Sequence, residues 1–535
     1  MFGHKWSMGA ALAAVLATAL AFAAVAAEPP AAAPPPAAVV TPTLASVMQP
    51  STIDVSPAIR SVVPGATLPD RPRIALVTTG RDAELVGTLQ RTLEQLGASV
   101  MLVPLAAGQG APDYSMASLS KPGAPVGAVA AVAPIAWEGQ LRYRYESRVQ
   151  LDYRLPGTFG RAATQSLADR GDVAIMRTRV GATLKVAPGV RGYFNLQDAR
   201  TMGAEGSPSG TLANVDLYNA WLDLDSLGTN PLFLRVGRQV LTYGEGRVVS
   251  GADWGNAGRA YDGVRMRWAP GHAQVDGFVT WLNEGRITGQ DRLLSGLDAL
   301  WRGGNGLEAE AYQFRRDFGD AGWTSELGNK GGIHDATSGL RTRVPRGAFE
   351  LRLEGAVQRG RRAGDPVRAW FGVGRLTADL KSAWKTRLYL EHGKSSGDAN
   401  PTDGLFQRFD PVYWAGHSFQ GTLDIVGESN VSDWCGGMTA QPVKGWTVQS
   451  EFNTFTLSQA RDYWVDDAST TLRRSPAGTA GTSLGRELDA TVRWDTRAKV
   501  SVLAGASRFW RGEYVRNTGG GGDVSWGFAQ LNVTF

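Results

Sequence analysis

Arginines stand two positions apart along this 535-residue chain: Arg142 and Arg144, Arg177 and Arg179, Arg265 and Arg267, Arg341 and Arg343. On an extended backbone that spacing puts both guanidiniums on one face. The same alternation adds Arg148, Lys185, Arg235, Arg352, Arg387 and Arg493, against Glu146, Glu350, Glu354, Glu391, Glu451 and Asp489, an excess of about two to one in favour of cations. A guanidinium keeps its charge and offers a planar fork that fits a carboxylate. Rows of them inside a low-dielectric wall would gather anions and pass them on through many weak contacts. The competing reading for each arginine taken singly is an ion pair that only satisfies the wall; the excess taken together points to a path for an anion.

Other chemistry finds little support. The histidines, His4, His272, His334, His392 and His417, are scattered and lack zinc-ligand spacing. There is no G-x-S-x-G elbow. The one cysteine, Cys435, excludes an intramolecular disulfide and reads as a loop thiol. Asp462, Asp466 and Asp467 fall in an apparent loop over 461–475, spaced too irregularly for a calcium loop, and read as solvated acids. The expectation is no catalytic residue, no metal and no cofactor. A hydrolase whose Ser and His meet only in space stays as a remote alternative. The net charge of +5 comes without a Lys/Arg block, so nucleic acid is not an expected partner.

The elements that would carry these rows are strands. Leu141, Tyr143, Tyr145, Val149, Leu151 and Tyr153 share one face opposite Arg142, Arg144, Glu146, Arg148 and Asp152. Val264, Met266 and Trp268 oppose Arg265 and Arg267; Phe349, Leu351, Leu353 and Val357 oppose Glu350, Arg352, Glu354 and Gln358; Leu488, Ala490, Val492 and Trp494 oppose Asp489, Thr491 and Arg493. Tryptophans sit at strand ends (Trp137, Trp268, Trp281, Trp370, Trp384, Trp446, Trp494 and Trp510), as in the girdles of membrane barrels. The last segment alternates Ala529, Leu531, Val533 and Phe535, and its terminal aromatic resembles the signal read by the barrel-assembly machinery, the partner expected at Phe535. Hydrophobic content of 43% suits a barrel, whose lumen face is polar. The spacing predicts an all-β transmembrane barrel of about 18 antiparallel strands over 137–535, in contact with outer-membrane lipid.

Ahead of it, residues 1–26 read as a signal peptide and 27–72 as an Ala/Pro-rich linker. Residues 73–105 read as a small βαβ-like periplasmic segment. Ile74–Val77 and Val100–Leu105 are its strands; Leu85, Val86, Leu89, Leu93 and Leu96 lie on one helix face. It would cap or plug the pore or meet a periplasmic partner. Residues 106–136 read as a second linker.

One segment carries a family likeness. Arg235-Val-Gly237-Arg238-Gln239, Tyr243-Gly244, Asp253-Trp254-Gly255-Asn256 and Gly258-Arg-Ala-Tyr261-Asp262-Gly263 resemble the alginate export family of outer-membrane barrels. That resemblance implies an 18-stranded monomeric barrel whose electropositive lumen passes an anionic uronic-acid polymer. The expectation is therefore a channel in the bacterial outer membrane for an anionic, alginate-like polysaccharide or a small organic anion. The alternative is a surface interaction or scaffold barrel with a closed lumen. The expected solute path comprises Arg235, Arg238, Arg265, Arg267, Arg142, Arg144, Arg341, Arg343 and Arg352, although strict alternation turns Arg238 outward. The motif itself reads as strand, long turn and returning strand, with its glycines allowing close backbone approach.

Overall fold

The computed structural model describes residues 73–78, 99–104, 135–149, 170–202, 215–225, 231–282, 292–496, 499–519 and 522–535. The chain divides into two compact units, one of residues 24–133 and one that holds 134–535. In the first, strands Arg73–Thr78 and Ser99–Pro104 pair in parallel, with Ile74 beside Val100 and Val77 beside Val103. A parallel pair needs a crossover connection. The expected helix face from Leu85 to Leu96 lies outside the described residues, as do the signal-peptide and linker segments as far as residue 134.

In the second unit, eighteen strands run from Ala136–Val149 to Val524–Thr534 and close into an antiparallel barrel. The last strand pairs with the first, from Gln140 beside Thr534 to Val149 beside Ser525. Closure gives every strand two partners and leaves no edge, the condition for crossing a bilayer with strands. A small hairpin, Tyr463–Val465 with Thr471–Arg474, stands outside the barrel ladder.

The polarity is inside out. Leu141, Tyr143, Tyr145, Val264, Met266, Trp268, Leu351, Leu353 and Leu488 are exposed on the outer wall, while Arg142, Arg144, Glu146, Glu350, Glu354 and Asp489 are buried on the inner one. All eight tryptophans expected in girdles are exposed. Apolar exterior and charged interior follow directly from the period of two, because each strand meets lipid on alternate residues only.

Connections differ between the two ends. At one end the turns are short, between Ala187 and Val190, Trp268 and Ala273, and Arg346 and Phe349. At the other lie residues 240–260, 396–430 and 458–482. Bacterial barrels keep short turns on the periplasmic side, which sets the long segments outermost. These segments fold inward and supply much of the apolar core. One cluster joins Leu241, Tyr243, Val248 and Val249 to Phe406, Phe409 and Val412; a second joins Leu423, Ile425 and Val426 to Trp464, Leu484, Tyr514 and Trp526.

Two expectations are corrected here. Cys435 is no loop thiol: it is buried within strand Val431–Ala440. Asp462 and Asp466 are not solvated but buried. Asp462 accepts from the backbone of Asp398 and Tyr463 and pairs with Arg408 at 2.6 Å, so it fastens two loops together. Among the described residues no group of acids, histidines or cysteine is placed to hold a metal.

Candidate functional site

The segment 240–260 leaves strand Leu232–Gln239 and returns as strand Tyr261–Trp268. Segment 396–430 links Arg387–Ser395 to Val431–Ala440, on nearly the opposite wall: six strands separate the two pairs on one side and eight on the other. The segments meet across the lumen through backbone hydrogen bonds. Ser250 N–H donates to the Tyr413 carbonyl at 2.7 Å, Tyr413 N–H to Val248 at 2.8 Å, and Ala415 N–H to Gly246 at 2.9 Å. Val249 and Tyr413 form a parallel bridge. The bonds satisfy polar backbone that would otherwise lie unpaired in a filled lumen.

The motif residues explain how the crossing is built. Gly237 has φ +124°, and a Cβ there would meet the Ala220 carbonyl oxygen at 2.2 Å, so only glycine fits. Gly263 faces the Val279 carbonyl as closely, at 2.1 Å. Gln239 and Tyr261 are fully buried, and the Tyr261 hydroxyl donates to the Ser250 carbonyl at 3.1 Å. Tyr243 stacks on Phe278 and leans against Phe314, with centroids 5.3 and 5.4 Å away, and the two phenylalanines touch each other at 5.9 Å. Burial raises its pKa. Gly244, at φ +57°, passes beside the Arg341 side chain. Asn256 donates to the carbonyls of Met176 and Arg200, and Gly255 N–H to the Ala252 carbonyl. Gly258 leaves room for the Tyr218 hydroxyl and Arg179. Trp254 lies flat on His417, 3.8 Å between centroids, with the Arg144 guanidinium 4.0 Å over the ring.

Asp253 is held by strands Ala136–Val149 and Arg170–Ala187. Its carboxylate accepts from Arg177 at 3.0 and 3.1 Å and from Arg179 at 2.8 Å. Arg142 donates to the carbonyls of Asp253 and Gly255, and Arg144 to that of Trp254. Burial alone would raise the Asp253 pKa, but Arg177 and Arg179 more than reverse that and hold it below the ordinary carboxylate value.

Most of the expected path residues face inward, each with an acid. Arg235 pairs with Asp223 at 2.7 Å. Arg265 and Arg267 share Asp276 at 3.2 and 2.6 Å. Arg341 meets Glu310 and Glu308, Arg343 meets Glu350, and Arg352 meets Glu350 and Glu245. Arg144 and Arg148 pair with Glu146. Arg387 and Arg493 pair with Asp379 and Asp495. The two-to-one excess does not survive this census, because alternation had passed over Asp223, Asp253, Asp276, Glu308 and Glu310. Arg238 is a second correction. It shares the outward face of Val236 and pairs with Asp262 across the hairpin at 2.6 Å; the parity of its strand removes it from the path.

Sequence reasoning also missed Arg247, three residues after the Tyr243-Gly244 element. It is buried in the lumen between Glu391 at 2.7 Å and Glu428 at 3.2 Å. Burial works against its charge, and the two glutamates outweigh that, so its pKa is raised. Its spacing gave no hint, since its partners lie far along the chain.

Two cavities flank the crossing segments. The one toward the short turns is about 520 Å³, lined by Tyr243, Arg267, Asp276, Asp298, Arg302 and Arg341 among others. The one toward the long segments is about 700 Å³, with Arg144, Arg148, Asp253, Trp254, Arg259 and Tyr413 in its wall. Among the described residues, Arg142, Arg259 and Arg302 have no carboxylate within ion-pair distance, and they are spread along both chambers and the wall between.

Comparison with known proteins places this geometry. The profile of the alginate export family matches residues 138–523. No curated protein matches the chain by sequence. Similar solved structures include three from Pseudomonas aeruginosa. OccK9 (OpdG) has 12% identity and a TM-score of 0.51, covering 75% of this chain and 98% of its own. OccK1 (OpdK) has 12% identity and a TM-score of 0.50, covering 75% and 99%. OpdK solved with vanillate has the same identity and TM-score, covering 75% and 98%. At that identity the likeness speaks to the fold.

Proposed function

This chain belongs to the alginate export family and is a channel of the bacterial outer membrane, and from that premise we propose that its solute is a small organic anion of the sugar-acid kind. The observation that carries the proposal is local. Among the described residues, five arginines on two adjacent strands, Arg142, Arg144, Arg148, Arg177 and Arg179, touch two carboxylates, Glu146 and Asp253. An anion meets concentrated positive charge there even though most arginines elsewhere in the lumen are paired. The joined segments and chambers of about 520 and 700 Å³ favour one or two sugar units over a polymer in transit. A neighbouring barrel was solved with vanillate, itself a carboxylate. In this reading passage is passive, outer-membrane lipid meets the apolar belt, the last strand with Phe535 serves the assembly machinery, and residues 73–105 serve a periplasmic partner.

Arg265 and Arg267 share one acid, so that row also keeps a positive excess. Arg265→Glu with Arg267→Glu should turn it strongly negative. In planar bilayers the expected result is anion permeability relative to cation permeability reduced several-fold, as barrel-wall charge sets selectivity. Unchanged selectivity would remove this row from the path. A barrel with no conductance to chloride or glucuronate would instead favour the closed scaffold.

A further inference from the structure

Charge on the lipid-facing side of a barrel is costly at mid-bilayer and tolerated toward its borders. Strand Phe349–Arg362 rises from the rim of short turns and points Phe349, Leu351, Leu353, Gly355 and Val357 outward, then Arg359 and Arg361 on the same face. The next strand, Asp365–Asp379, points Arg368 and then Trp370 outward. Arg359 stands directly across from Arg368, and Val357 across from Trp370. From Phe349 to Val357 the strand covers roughly 27 Å of its length, or about 21 Å of depth at the usual tilt, against about 25 Å for an apolar belt. The arginines begin where the belt ends, on the side of the long segments.

The chain does not answer their charge. Among the described residues the three meet no carboxylate: Arg359 donates to the carbonyls of Gln358 and Ala369 at 2.9 and 3.3 Å, and Arg361 to that of Gly364 at 3.0 Å. Asp317, on the same outer face, is taken by Arg315 at 2.6 Å and His334 at 3.3 Å. Other outward arginines stand with acids, Arg200 with Asp198 and Arg238 with Asp262. Arg359 and Arg368 face each other instead, and like charges directly opposite destabilise a sheet. An anion set between them turns that repulsion into attraction. Just below, the wall is notched. Gly355 and Gly372 pair with each other beside Val357 and Trp370. A Cβ at Gly372 would meet nothing in the chain closer than 4.0 Å, so packing within the chain does not call for glycine there.

We infer that Arg359, Arg361 and Arg368 form a docking site on the outer wall for the phosphate of an outer-leaflet glycolipid, an acylated, phosphorylated disaccharide of the lipid A kind, with an acyl chain against the Gly355–Gly372 notch. Guanidinium forks match phosphate oxygens, and one phosphate can accept from Arg359 and Arg368 together. Trp370 lies at the headgroup boundary, where its ring meets both sugar and chain. The site is on the far face of the wall from the solute path, so it stands whether or not the sugar-acid reading does. It also lies at the root of segment 396–430. Ser396 N–H donates to the Trp370 carbonyl at 2.8 Å, and Trp370 N–H to Ser396 Oγ at 2.9 Å. A lipid held at Trp370 therefore steadies the strand from which the crossing segment starts.

The test is native mass spectrometry of the full chain in detergent, titrated with bisphosphoryl lipid A. Wild type should bind it tightly, and monophosphoryl lipid A several-fold more weakly. Arg359→Gln with Arg368→Gln should weaken lipid A binding roughly tenfold or more, since charge-assisted hydrogen bonds are lost. Arg486→Gln, at an outward arginine near the same end of strand Ser483–Asp495, should bind as wild type does. Thermal unfolding, followed by band position in a denaturing gel, gives a second readout. Lipid A should raise the unfolding temperature of wild type. The double variant, relieved of its facing charges, should start higher than lipid-free wild type and gain nothing from lipid A. Should the double variant fail to fold, Arg361→Gln serves, with a several-fold loss of binding expected. Variants that bind lipid A as wild type does overturn the inference. So does displacement of lipid A by excess inorganic phosphate, which would mark a bare anion site, or equal binding of phosphatidylglycerol, which would mark a surface that takes any anionic lipid.

Discussion

The Asp467 carboxyl sits in the segment 458–482 with Asp424 and Asp466 nearby, and its backbone carbonyl accepts the Trp414 indole N–H at 2.8 Å. Burial first, then the Asp424 and Asp466 charges, push its pKa up from 3.8 to about 8, with Arg148 opposing. A carboxyl whose folded pKa is raised binds its proton more tightly when folded. Its contribution is therefore fully present below about pH 3.8, falls as pH rises, and is gone above about 8. Glu326 behaves alike: burial and Asp398 raise it to about 8. The outer segments should then become easier to cleave by protease between pH 5 and 9, and Asp467→Asn should flatten that dependence. A wild-type cleavage rate indifferent to pH would count against it. Single residues were also where sequence misled. Asp223 and Asp276 sit on strands without arginines, opposite Arg235 and Arg267 on the neighbouring strands, and so escaped the count, and Arg247 finds Glu391 and Glu428 only through the fold.

At the scale of elements, legibility divides by period. The strand carrying Leu141, Tyr143 and Tyr145 and the one ending in Trp494 were plain, because a period of two meeting lipid leaves a written record. So were the count of eighteen and the strand–connection–strand nature of the motif. The crossing was not legible. Val248, Val249 and Tyr413 join through backbone groups, which carry no side-chain signature, and Phe406, Phe409 and Val412 look like any connection until they meet Tyr243's cluster. Because backbone makes the join, it can be loosened at one atom. Tyr413→Pro removes the donor to the Val248 carbonyl. Leaving that carbonyl unpaired should cost about 1–3 kcal/mol, roughly five- to 150-fold in the undocked population. Larger or more frequent conductance steps are expected; steps identical to wild type would show that the crossing does not limit flow.

For the whole molecule, the seam is the telling feature. Strand Val524–Thr534 completes the cylinder against Ala136–Val149, the Phe535 ring covers the bare backbone of Gly139, and the Gly139 and Phe535 backbones exchange hydrogen bonds at 3.2 and 3.1 Å. The two edges brought together there are the most distant in the chain, so closure must wait for the strands between, and slow formation follows from such non-local pairing. Yet once formed, the seam is one antiparallel pair among eighteen, and Phe535 pairs with Gly139, four residues after Ile135, at the rim of short turns. The cylinder therefore has no privileged starting strand. A circular permutant of residues 135–535, with a brief linker across that rim and new ends cut at Gly347, should refold in detergent and conduct like the parent; loss of conductance in a folded permutant would mean that the order of threading, and not the ring of strands, dictates the final state.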